Sequence, residues 1–89
     1  MSRFEAAPRR LSSLRAGARG VVVRIADGAL ARADRLAALG VTPGAAILVL
    51  QTFPGIVFDC DQTELAVERS VARGIYVEVV SQGSTDRDR

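Results

Sequence analysis

The sequence predicts a mainly β fold, a small closed barrel of about five strands with one short α-helix. Three observations predict it. First, 48% of the 89 residues are hydrophobic, yet the aromatics are only three phenylalanines and one tyrosine, so the core must be aliphatic. Valine and isoleucine are stiff at χ1 and suit a pleated surface. Second, short apolar stretches recur between turn residues, while a single segment has helical spacing. Third, a chain this short buries only about 60–65% of its unfolded surface. Closing the sheet on itself removes edges that it could not otherwise cover.

Residues 1–10 mix Arg, Glu, Ala and Pro without a period and read as a flexible lead-in, with Phe4 able to dock on the domain. The folded domain is expected over residues 11–80. The tail, 81–89, is polar and free of aliphatics and is expected to be disordered. Within the domain, Leu11 and Leu14 lie three apart, as on one helical turn, and Gly17 and Gly20 bracket a turn. VVVRIA, residues 21–26, is the first strand. Alternation puts Val21, Val23 and Ile25 on one face, Val22 and Arg24 on the other.

DGALARADRLAALG, residues 27–40, is the one convincing helix. Asp27 is its candidate N-cap. Leu30, Ala33, Leu36 and Ala37 form a narrow apolar stripe, and Leu36 is expected in the core with the helix plugging one barrel end. Gly40 stands where a left-handed C′ residue ends a helix, since it lacks the Cβ that makes that conformation costly. Counting back, Leu36 is C3 and Val41 is C″, the apolar pair of a Schellman ending. Pro43-Gly44 suits the centre of a type II turn, with proline at the first position and positive φ at the second.

AAILVLQTF then runs as a strand. Both its faces are apolar from Ile47 to Leu50, which predicts a central strand packed on two sides. PGI at 54–56 breaks the chain, VFDC at 57–60 is a short strand, and DQT is a tight turn. ELAVE alternates, with Leu65 and Val67 inward and Glu64, Ala66 and Glu68 outward. RSVARG reads as one 3₁₀-like turn, and IYVEVV closes the domain with Ile75, Val77 and Val79 on one face.

Composition excludes several functions. Net charge is only +2, and all twelve basic residues are arginine, the signature of a composition biased toward Ala, Arg and Val. That balance does not argue for nucleic acid. Cys60 is the single cysteine, so no intrachain disulfide forms and a reducing compartment is expected. The N-terminus has no apolar h-region, and AAILVL is far shorter than the roughly 20 residues that span a bilayer. A soluble, cytoplasmic protein without direct membrane insertion is expected. Histidine is absent, which removes His-based catalysis and Cys/His zinc sites. No phosphate-binding glycine loop occurs. No catalytic residues, cofactor-binding residues or metal ligands are assigned, and no enzyme is expected.

These residues resemble the FeoA family, ferrous iron transport protein A. The resemblance spans about residues 11–80. Its strongest element is the R-L-x-x-L-G-h-x-P-G junction at Arg35, Leu36, Leu39, Gly40, Val41, Pro43 and Gly44. Leu11, Leu14, Gly17 and Gly20 supply the opening L-x-x-L-x-x-G-x-x-G, and Leu65, Ala66 and Val67 the closing motif. The resemblance implies an SH3-like barrel and a cytoplasmic accessory of bacterial ferrous iron uptake that acts on the membrane GTPase permease FeoB. The same barrel forms the C-terminal domain of iron-dependent repressors; no room for their DNA reader is expected in these 89 residues, which favours the stand-alone accessory as the expectation. Asp61-Gln62-Thr63 departs from the glycine many relatives carry in this hairpin, and the segment around TFPGIVF is compact.

Two candidate sites follow. Asp59-Cys60-Asp61 is a candidate metal site, but alternation puts the carboxylates on one face and the thiol on the other, so a strand cannot aim all three at one ion. The favoured reading is Cys60 as a small core hydrophobe beside Phe58, with the aspartates solvated or holding the turn. A partner-binding surface fits better, with Phe53 and Tyr76 as exposed aromatics and Leu39 beside the helix end. Each has a plain structural alternative, as a cap on a barrel end or as core. The alternative functions are a nucleic-acid-binding module or a self-associating one, with a homo-oligomer the partner in the latter case.

Overall fold

The computed structural model describes residues 7–26 and 33–82. Phe4, Asp27, Leu30 and the side chain of Ala33 lie outside the described part. The described strands are β1 (Arg9–Arg10), β2 (Arg19–Ile25), β3 (Ala46–Gln51), β4 (Ile56–Cys60), β5 (Thr63–Val67) and β6 (Ile75–Ser81). They form one antiparallel sheet in the order β1-β6-β2-β3-β4-β5. Two short helices, α1 (Ala33–Ala38) and α2 (Arg69–Ala72), and a 3₁₀ turn at Leu11–Ser13 complete the elements of the described residues. The sheet thus starts at Arg9, ahead of the expected domain start at residue 11, and β6 runs to Ser81.

β1 and β5 end the ladder and do not pair with each other, so no hydrogen-bonded ladder closes the sheet among the described residues. Its inner face supplies Val22, Ile47, Val49, Ile56, Phe58, Ile75 and Val77 to one core cluster, against which Leu65 and Val67 of β5 also pack. Leu11 and Leu14 from the 3₁₀ turn, Leu36 from α1, and Val71 and Ala72 from α2 complete that core. Leu36 is in the core, as expected.

The helix ending follows the sequence reading. The Gly40 amide donates to the Ala37 carbonyl and the Val41 amide to the Leu36 carbonyl, both at 2.9 Å, with Gly40 at φ +95°. That is the Schellman pattern. The Ala45 amide then donates to the Thr42 carbonyl at 2.9 Å, with Gly44 at φ +98°, which makes the type II turn.

Five readings need correction. Ala37 is exposed, so it does not belong to the apolar stripe. Gly20 is not a turn residue: it lies in β2, where a Cβ would stand 2.5 Å from the Glu78 carbonyl oxygen. β2 does not alternate throughout, because its register against β6 shifts between Val22 and Arg24. The extra residue, Val23, is a bulge, and it puts Val22 and Ile25 inward with Val21 and Arg24 outward. β3 is central in the ladder, but only Ile47 and Val49 are buried, and Leu50 is 42% exposed. A single sheet around one core has no second layer to cover the outer face. Finally, Arg69–Ala72 is a turn of α-helix rather than 3₁₀.

Candidate functional site

Phe53 sits in the connection between β3 and β4 and is 80% exposed. The peptide it makes with Pro54 is cis. This loop is anchored from α2. The Arg69 guanidinium donates to the Thr52 carbonyl and, at 3.5 Å, to the Ser12 carbonyl, tying loop, helix and 3₁₀ turn together. Sequence reading missed Arg69. An arginine at the start of a short helix carries no periodic signal, and both acceptors are backbone atoms brought near only by folding.

Leu39, 45% exposed, follows α1 at the other end of β3. The Cys60 thiol donates to the Gly40 carbonyl at 3.5 Å, and Cys60 pairs with Ile47 near the start of β3, whereas Phe53 lies past its end. The fold therefore does not gather Leu39 and Phe53 into one patch. A depression of about 520 Å³ lies beside Gly40, Pro43, Gly44, Ala46 and Asp61. A smaller one of about 210 Å³ shares Ala46 and Asp61 and reaches Arg19, Leu48 and Asp59. Both open to solvent.

Cys60 faces the core and is 1% exposed, while Asp59 is on the opposite face of β4. Burial pushes the thiol pKa up, and Asp61 and Asp59 push it further. A thiol held protonated is a poor nucleophile and a poor metal ligand. Among the described residues, no group of three or more His, Cys, Asp or Glu side chains converges on a point. Nor is any helix among them long and apolar enough to cross a membrane.

Tyr76 lies on the outward face of β6, half-buried between two arginines. It pairs with Arg10 of β1 on one side and Arg24 of β2 on the other. The Arg10 Nε donates to the Tyr76 hydroxyl at 3.3 Å, and the Arg24 guanidinium carbon stands 4.1 Å from the ring centroid. The Arg10 hydrogen bond lowers the phenol pKa, partial burial opposes it, and the charges of Arg10 and Arg24 lower it further. The bulge at Val23 makes this arrangement by turning Arg24 outward, opposite Tyr76.

A family model described as the FeoA domain matches residues 9–79. The chain belongs to the FeoA family. A FeoA described as an iron uptake regulatory protein is 28% identical, with a TM-score of 0.75 over 84% of this chain and 100% of that one. The FeoA protein of Chlorobium tepidum is 35% identical, with a TM-score of 0.72 over 81% of this chain and 70% of that one. The FeoA of Stenotrophomonas maltophilia, solved with zinc and described as an SH3 domain protein and candidate ferrous iron transport activating factor, is 22% identical. Its TM-score of 0.71, over 88% of this chain and 100% of that one, supports the SH3-like fold alone. No curated protein gives a significant match. In this FeoA domain, Leu36, Gly40, Val41, Pro43 and Gly44 form the helix ending and the turn that launches β3.

Proposed function

We propose that this FeoA-family chain is a cytoplasmic accessory protein of ferrous iron uptake that acts by docking on a FeoB-type membrane permease. Family membership over residues 9–79 is the observation that carries the reading. The form of the molecule supports it. The core is mostly aliphatic around Phe58, the depressions are open to water, and the one thiol is buried and protonated, which suits a binding module better than an enzyme. Phe53 offers an exposed aromatic on an anchored loop, the kind of rigid side chain that fills a partner's pocket at low entropic cost.

The test is copurification of the full chain with the permease, together with ferrous iron uptake in cells that lack or carry it. Retained complex and restored uptake support the reading. Wild-type chain that neither copurifies nor alters uptake overturns it.

A further inference from the structure

The row Arg10, Tyr76 and Arg24 runs across β1, β6 and β2 on the outward face. Strands lie about 4.8 Å apart, so the two arginine backbones flank the tyrosine across about 10 Å. Both guanidiniums lean toward the phenol between them, one on its hydroxyl and one on its ring. Each has five N–H donors in a planar fork. Arg10 uses one on Tyr76, and neither makes an ion pair among the described residues. Two adjacent cations that no described carboxylate pairs repel each other, and an anion between them removes that repulsion. The lowered phenol pKa reports the same preference for negative charge at this spot.

We propose that Arg10, Tyr76 and Arg24 form a carboxylate-binding site that takes an acidic segment of a partner protein. The guanidinium fork matches a carboxylate in bidentate fashion. One face of the ring is already covered by Arg24, which leaves a poor stacking platform for a nucleobase. Two arginines also fall short of the four to eight basic residues that hold a protein to an anionic membrane. Glu78, exposed and two residues along the same face of β6, is the acid that opposes this site. The assignment rests on the docking reading above in that it specifies the partner's chemistry.

Tyr76 is the single tyrosine in a chain without tryptophan, so its absorbance and fluorescence report this site alone. The full chain is titrated, at fixed ionic strength, with a capped eight-residue Glu-rich peptide and with its Gln counterpart. The Glu peptide is expected to bind and to raise the midpoint of Tyr76 ionisation, and the Gln peptide to do neither. R10Q and R24Q, at exposed positions, should each weaken binding by about tenfold, the effect of losing one charge-assisted pair. E78Q should tighten it. Equal binding of both peptides, or unchanged binding in R10Q/R24Q, overturns the proposal. So does inorganic phosphate or a single-stranded oligonucleotide that binds as tightly as the Glu peptide. Peptide binding without permease copurification leaves this site standing and removes the docking reading. Copurification undiminished in R10Q/R24Q does the reverse.

Discussion

The Val41 amide donates to the Leu36 carbonyl at 2.9 Å, and both side chains are buried in the core on either side of an exposed Gly40. That contact helps end α1, and the type II turn at Thr42–Ala45 then leads into β3. Leu36→Ala removes buried volume and should cost about 2–5 kcal/mol in urea unfolding. Gly40→Ala meets no neighbour within 4 Å, so it should cost only the left-handed backbone penalty, about 1–2 kcal/mol. Gly20→Ala should cost more than Gly40→Ala, because its Cβ meets backbone at 2.5 Å. Equal costs at the two glycines would contradict the packing described.

The hairpin between β4 and β5 turns on Asp61 at φ 54° and Gln62 at φ 71°, neither of which is glycine. Two positive φ values make a type I′ turn, whose second position favours glycine. Gln62→Gly should therefore stabilise the chain by up to about 1 kcal/mol, the relieved strain being partly offset by a more flexible unfolded state. A thermal melt checks the sign.

Arg69 and Phe53 should separate stability from docking. Arg69→Gln strips the Thr52 and Ser12 carbonyls of their donor and should cost about 1–3 kcal/mol, with faster amide exchange around the β3–β4 loop. Phe53→Ala, at a side chain 80% exposed, should stay within about 0.5 kcal/mol of the parent. Permease copurification lost in Phe53→Ala at unchanged stability would assign the contact to the ring.

Cys60 should make the fold weaker in alkali. Its folded pKa is raised above the ordinary 9.0, so between the two values the folded thiol keeps a proton that the unfolded one releases. Stability from this group is complete below the unfolded pKa and is lost as pH rises through the folded one. Tyr76, with its pKa lowered, acts in the opposite direction, so the comparison is of pH slopes between the parent and Cys60→Ala. The parent should lose stability more steeply above about pH 9. The thiol should also resist a disulfide reagent until the chain unfolds, and prompt labelling of the native protein would contradict the burial.

Much of the fold was legible because it is written in local chemistry. Gly40, Pro43 and Gly44 demand particular φ values whatever surrounds them, and the alternation in β5 and β6 needs only neighbouring residues. Where the readings failed, the deciding quantity was not local. An apolar run such as Ile47 to Leu50 says nothing about whether a second layer exists, and here none covers Leu50. The bulge at Val23 is a fact about β2 against β6, so no count along β2 alone could find it.

Sequence alone settled a core rich in aliphatic side chains, the helix ending at Gly40 and membership of the family, since each rests on residue type and short spacing. The tertiary structure decided which arginines meet Tyr76 and what anchors the Phe53 loop, because residues as distant as Arg10 and Tyr76, or Ser12 and Arg69, become neighbours only when the strands pair and the core closes.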